Sequence, residues 1–285
     1  MSQVESPLFN PTVLPLLSAQ AIATNKVLAI APHPDDETLG CGGAIALLRS
    51  LGCQVRVLVI SDGTMSHPRS RKYPPAALRE LREAETLAAT EVLGVDASEV
   101  TFLRLLDGAI PMLGDAQVED AVSKCRATIA TFAPDTIFLP WRYDPHPDHR
   151  ATWQLIQTAL ILEAGVQGCR GAEEQRSRGD NYQLPITNYQ SKIKNQKSKI
   201  DSPRLIEYPI WDWDPEQRGN LSQSDRVTAW RLDITQVVQL KQQAIAAYRS
   251  QTTDLIDDDP EGFRLTAEML ANFTRPWEVY LEEIR

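Results

Sequence analysis

IAPHPDDETLGCGG, residues 30–43, places one histidine, three consecutive acids and three glycines directly after an apolar run. The run, Lys26 to Ala31, has the length and composition of a buried strand. A helix that begins near Asp35 and continues through GAIALLRSLG follows it. Acids at a helix start suit the positive end of its dipole. A histidine held between two prolines at the same turn has no such packing reason. Gly40, Gly42 and Gly43 permit close approach of helix to sheet, and they form no GxGxxG dinucleotide fingerprint.

The same alternation continues outward. Gln54 to Ile60 reads as a second strand closed by Asp62-Gly63-Thr64, and polar, proline-rich sequence from Ser66 to Pro75 reads as a loop with His67 solvated in it. A helix from Ala76 to Leu93 ends at Gly94, a strand covers Val100 to Leu103 before Asp107-Gly108, and a helix spans Val118 to Phe132. The strand Thr136 to Leu139 then delivers a second cluster, Asp144-Pro145-His146-Pro147-Asp148-His149, ahead of a helix from Arg150 to Glu163. Strand and helix alternate four times, the pattern of an α/β fold with a mostly parallel sheet and helices on both faces. In such sheets ligands bind beyond the carboxyl ends of the strands. All the candidate chemistry therefore falls on one edge.

Beyond this core the composition shifts. Residues 165–203 are rich in Gln, Asn, Ser, Lys, Arg and Gly and read as a low-complexity insertion within a single domain, 1–285, that carries an N-terminal arm, 1–25. RLIEYPIWDW reads as a strand leading into an aromatic loop whose Tyr208, Trp211 and Trp213 offer faces for a sugar or for core packing. A strand Val227 to Leu232, a helix Ile234 to Arg249 capped by Asp233, a helix near Leu265 to Phe273 and the segment WEVYLEEI complete the chain.

Net charge is -9, which disfavours nucleic acid and anionic membrane as partners. No run has the length of a membrane span and no basic leader precedes the weak apolar stretch near the N-terminus, so a cytoplasmic protein is expected. The four cysteines, Cys41, Cys53, Cys125 and Cys169, contain no CxxC and indicate neither disulfides nor a thiolate metal site. Cys41 reads as buried filler.

Three of the four histidines lie in the two clusters. One helical turn brings His33 and Asp36 to a common point, and His149, at the mouth of another strand, supplies a third ligand. Three His/Asp ligands with an open position describe a catalytic zinc site, whose water has a pKa of roughly 7. Asp35, beside a ligand, has the position of a general base. His146, as an imidazolium, would stabilise an oxyanion or protonate a leaving amine. Asp148 would fix the tautomer of one histidine. Zinc suits this ligand set, and Fe2+ tolerates it too.

APHPDDE at residues 31–37 followed by HPDH at 146–149 resembles the signature of the PIG-L/LmbE zinc-dependent N-acetylglucosaminyl de-N-acetylases. SDGT at residues 61–64, Arg82 and Glu85 ahead of LGV, Asp107-Gly108, and Lys241 with AIAAYRSQ extend the similarity over most of the chain. The resemblance implies a Rossmann-like fold and removal of an N-acetyl group from an amino-sugar conjugate, releasing acetate. Carried over by position, it implies His33, Asp36 and His149 as zinc ligands, Asp35 as base and His146 as the oxyanion-stabilising histidine. It also implies substrate contacts at Arg82, for which Arg79 is a nearby alternative, and at Asp107. A zinc amidase for a non-sugar acyl amide and a catalytically silent sugar-binding protein are the rival readings, and a binder has no need of Asp35.

Overall fold

The computed structural model describes residues 11–168, 202–213 and 227–283. In chain order the strands are β1 (Leu16–Leu17), β2 (Lys26–Ala31), β3 (Gln54–Ser61), β4 (Val100–Leu105), β5 (Thr136–Pro140), β6 (Arg204–Tyr208), β7 (Val227–Asp233) and β8 (Trp277–Glu283). The helices are α1 (Asp36–Ser50), α2 (Pro75–Val92), α3 (Asp115–Phe132), α4 (Pro147–Gly168), α5 (Val238–Ala247), α6 (Arg249–Thr252) and α7 (Ala267–Phe273). One sheet contains all eight described strands, in the order β1-β7-β8-β6-β5-β2-β3-β4. Every pairing is parallel except those of β8, which runs antiparallel to β6 and β7.

Alternate residues of β2 serve two cores. Val27, Ala29 and Ala31 pack with α1, α2 and α5 on one face, whereas Leu28 and Ile30 pack with α3 and α4 on the other. A strand covered on both faces has no polar side, which is why its sequence is an uninterrupted apolar run. From β2 the chain winds outward through β3 to β4, then crosses to β5 on the opposite side of β2. The crevice between β2 and β5 is the point where the strand order reverses.

Helix α1 lies close to the sheet because Gly40 and Gly43 lack side chains. A Cβ on Gly40 would stand 2.1 Å from the Tyr208 ring, and one on Gly43 would stand 2.6 Å from Ile234. The helix is broken at Cys41 (φ -139°, ψ 21°), and a buried ion pair serves the backbone groups the break leaves free. Lys241 donates to the Leu39 carbonyl at 2.7 Å and to Glu278 at 2.6 Å. Glu278 accepts the Gly43 and Ala44 amides at 2.6 and 2.8 Å and the Tyr280 hydroxyl at 2.6 Å. Glu278→Ala leaves the Lys241 ammonium buried without a counter-charge, so it is expected to cost about 3–5 kcal/mol of stability, read as a lower urea midpoint.

Several expectations need correction. His67 is buried, 1% exposed, with Gly262 against its ring, because Asp258 and Asp259 tie down the loop that carries it. Asp233 accepts the Thr235 amide and hydroxyl in a local turn instead of capping a helix, so α5 starts only at Val238. Tyr208 is core: its hydroxyl donates to the Ile30 carbonyl and its ring fills the space above Gly40. Cys41 is fully buried, as expected of filler, and burial pushes its thiol pKa well up. Most of residues 165–203, Cys169 among them, lies outside the described residues, as does the side chain of Trp213.

Candidate active site

The carboxyl ends of four neighbouring strands deliver the polar residues. His33 follows β2, Asp62 follows β3, Asp107 follows β4 and His146 follows β5. All but Asp62 border a cavity of about 390 Å³ whose floor includes His33, Asp35, Asp36, Arg82, Asp107 and His146.

At the β2–α1 junction, Asp36 turns back and accepts the His33 amide at 2.9 Å. The same carboxylate oxygen lies 3.0 Å from His33 Nδ1 and 3.2 Å from His149 Nε2, and those two nitrogens are 3.3 Å apart. The structure thus brings together all three residues expected to ligate a metal. Donors bound to zinc at about 2.0–2.1 Å in a tetrahedron lie about 3.3–3.4 Å from one another. The triangle has nearly those edges, so these side chains fit a small divalent ion. His146 adds a third imidazole, its ring centroid 4.8 Å from that of His33 and 5.0 Å from that of His149.

Carboxylates hold His33 and His149 from behind. Asp148 Oδ2 lies 3.2 Å from His33 Nε2 and accepts the Gly108 amide at 2.7 Å. Asp107 Oδ1 is 3.3 Å from the same nitrogen, and its other oxygen accepts the Met65 amide at 2.9 Å. Behind His149 stands Asp144, 3.3 Å from Nδ1. Asp144 also accepts the amides of His146, Ile210 and Trp211, so it fastens the second cluster to the segment after β6. Sequence reasoning gave Asp144 no role. Its place five residues before His149 is no signal by itself, because the amides it accepts come from a segment over sixty residues later.

Charge balance follows from this packing. Burial alone would lower the pKa of both histidines, but the carboxylates outweigh it and raise that of His33 well above, and that of His149 to about 9. Asp36 is driven far below the carboxylate range: burial opposes this, and His149 and His33 overcome it. His146 differs from the expected imidazolium. Burial and the neighbouring charges of His149 and His33 lower its pKa to about 4, and its Nδ1 accepts the Asp148 amide at 3.2 Å. His146 is therefore neutral, with its proton on Nε2.

Since His149 titrates near 9 in the folded metal-free protein and near 6.5 when unfolded, the folded state holds the extra proton between these values. Its stabilisation is complete below pH 6.5 and lost as pH rises through 9. The Tm of metal-free protein is expected to fall over this interval, and metal affinity to rise as the proton becomes easier to displace.

Asp35 has φ 124° and ψ -26°, a conformation side-chain-bearing residues rarely adopt and one that costs of order 1–3 kcal/mol. Arg82 holds it there. Its guanidinium donates to the Pro34 carbonyl and, at 3.1 Å, to the Asp35 carboxylate. Burial, reinforced by Asp36 and Glu37 and opposed by Arg82, lifts the Asp35 pKa to about 8. Arg82 does not pair with Glu85 along the helix. Glu85 instead accepts the Ser250 amide and hydroxyl at 2.7 and 2.6 Å. Glu37 accepts the Tyr248 hydroxyl and the Asp35 amide, which ties α5 to the strained turn.

Residues 28–160, which hold every polar residue of this floor, match the family described as PIG-L, GlcNAc-PI de-N-acetylase. This stretch, just under half of the chain, is similar to the PIG-L/LmbE family. Among its relatives, diacetylchitobiose deacetylase of Thermococcus kodakarensis is 36% identical over 129 residues, 44% of this chain and 45% of that protein. The chain thus spans less than half the length of that relative. 1D-myo-inositol 2-acetamido-2-deoxy-alpha-D-glucopyranoside deacetylase of Rhodococcus erythropolis is 27% identical over 81% of this chain and 82% of its own length. Among solved structures, N,N'-diacetylchitobiose deacetylase from Pyrococcus horikoshii superposes with a TM-score of 0.55 at 24% identity, covering 90% of this chain and 82% of the other, a likeness of fold. The matched stretch contains most of β2, all of β3 to β5, and both histidine clusters. Among the described residues no helix is long and apolar enough to cross a membrane.

Proposed function

We propose that this chain is a metal-dependent hydrolase that removes the N-acetyl group of an N-acetylglucosaminyl-type compound and releases acetate. The observation that carries the reading is the triangle of His33, Asp36 and His149 donors with the buried carboxylate of Asp35 beside it. The relatives named as deacetylases of acetylated amino sugars supply the substrate class.

His33, Asp36 and His149 would hold the ion, with zinc the metal their N, N, O donor set suits best. When bound, it supplies a Lewis acid for the amide carbonyl and lowers the pKa of water. Asp35 takes a proton from the attacking water as oxygen adds to the acetyl carbon, and the C–N bond breaks as that proton passes to the departing amine. Neutral His146 donates from Nε2 to the oxygen on which charge develops. Asp148 and Asp144 keep the His33 and His149 rings turned so that Nδ1 and Nε2, respectively, face Asp36. Arg82 and Asp107 border the cavity and contact substrate there.

The test is metal content measured together with acetate release from N-acetylglucosamine and N,N'-diacetylchitobiose, before and after chelation. About one metal per chain, with release abolished by chelator and restored by zinc, is expected. Binding of the sugars without release in zinc would favour the silent binder, and turnover confined to acyl amino acids would favour the non-sugar amidase.

A further inference from the structure

The ring of His146 is held differently from those of His33 and His149. Each of the latter has a carboxylate on the nitrogen turned away from Asp36: Asp148 and Asp107 on His33 Nε2, Asp144 on His149 Nδ1. The polar tether of the His146 ring is the Asp148 amide, which donates to Nδ1 at 3.2 Å, the long end of the hydrogen-bond range. The torsion that turns an imidazole about its Cβ–Cγ bond has a broad profile. Such a tether does not by itself fix where Nε2–H points.

A flat neighbour does. The rings of His33 and His149 meet His146 at 83° and 46°, whereas the indole of Trp211 lies within 25° of parallel to it, with centroids 5.9 Å apart. That separation is within the range of offset-stacked rings. Turning the imidazole about Cβ–Cγ drives one of its edges toward the indole face. Strand register brings Trp211 to this place: Pro140 at the end of β5 pairs with Tyr208 at the end of β6, so the two chains leave the sheet side by side. Asp144 then joins them, accepting the His146 amide at 2.9 Å and the Trp211 amide at 3.2 Å on one carboxylate. The indole also packs on Phe263, 5.5 Å away, whose own amide donates to the Ser66 carbonyl at 2.6 Å. Trp211 is thus fixed by its backbone and by its packing before any ligand arrives.

We infer that Trp211 is a positioning residue for the reaction: its indole face keeps the His146 ring turned so that Nε2–H points at the oxygen on which charge develops. This rests on the hydrolase reading above and adds a residue from outside the matched stretch 28–160. Because the indole acts through His146, its effect belongs to kcat and disappears when His146 is absent.

The experiment is a double-mutant cycle on zinc-loaded protein with N,N'-diacetylchitobiose as substrate. Trp211→Leu is expected to lower kcat about 10- to 100-fold, the cost of a misdirected group, with KM within about threefold of wild type. Trp211→Phe keeps a flat ring and should stay within about threefold of the wild-type kcat. In a His146→Ala background, itself slower by about 10²- to 10³-fold, Trp211→Leu should change kcat by less than about twofold. Long-range 1H–15N NMR of the histidine rings in metal-free protein at neutral pH gives a readout free of turnover. His146 should show a single tautomer, protonated on Nε2, in wild type and Trp211→Phe, and a mixture of both tautomers in Trp211→Leu. Phe263→Leu, which removes only the ring packed on the indole, should show the same mixing and takes the place of Trp211→Leu if that variant does not fold. An unchanged kcat or an unchanged tautomer overturns the inference, as does a loss confined to KM or one that persists without His146. If wild type releases no acetate, the hydrolase reading fails, and the NMR comparison alone decides whether Trp211 orients His146.

Discussion

Asp35→Asn is expected to leave the metal in place and to lower acetate release by about 10²- to 10⁴-fold, the range of a positioned general base. The amide is nearly isosteric with the carboxylate and keeps an oxygen for Arg82, so the positive-φ turn has its restraint. What it loses is the ability to accept a proton. Asp35 lies outside the triangle of His33, Asp36 and His149, which predicts unchanged metal stoichiometry. Metal analysis and initial rates on one preparation decide the matter. Wild-type turnover in this variant would remove Asp35 from the mechanism, and loss of metal would make it a ligand.

His149→Ala should abolish both metal binding and turnover. It deletes one vertex of the triangle and leaves Asp36 and Asp144, two carboxylates that now share a dry site without their common imidazole. Asp144→Asn is the informative companion. It keeps volume and one oxygen but no longer holds His149 Nδ1 by charge, and it is expected to weaken metal binding by about 10- to 100-fold. A zinc titration against a competing chelator separates the two: no measurable affinity for the first variant, weakened affinity for the second. Full affinity in His149→Ala would transfer the ligand role to His146, whose ring stands 4.8 Å from that of His33.

What could be read from the chain depended on how local its cause was. The four βα units were legible because each strand carries its own apolar run and each helix its own period, and their boundaries moved by only a few residues. The edge on which the chemistry gathers followed from that alternation alone. Placement of β8 was not legible, because a strand that inserts antiparallel between β6 and β7 pairs with partners known only from the assembled sheet. The same limit hid His67. Ser66 to Pro75 is polar and rich in proline, yet Asp258 and Asp259, some 190 positions later, pull it down and bury the ring. Within the site, His33, Asp35, Asp36, His146 and His149 were marked by residue types that packing does not explain. Asp144 was not, since its function is visible only once Ile210 and Trp211 return to donate to it. The protonation of His146 was likewise set by burial and by the charges of His149 and of His33, which arrives from β2.

The position of β8 bears on how the molecule is made. Among the described strands it leaves the ribosome after the other seven, yet it lies inside the sheet, and Glu278 within it caps the second half of α1. The parallel half, β6 to β4, can therefore assemble early while α1 still lacks the carboxylate that stabilises its break. Asp36, in the first turn of that helix, therefore rides on an element whose break is completed only when β8 docks. Such distant pairings slow folding. Nascent chains arrested before Trp277 are expected to hold both histidine clusters and still capture metal poorly, so maturation of the centre would be a late event in synthesis.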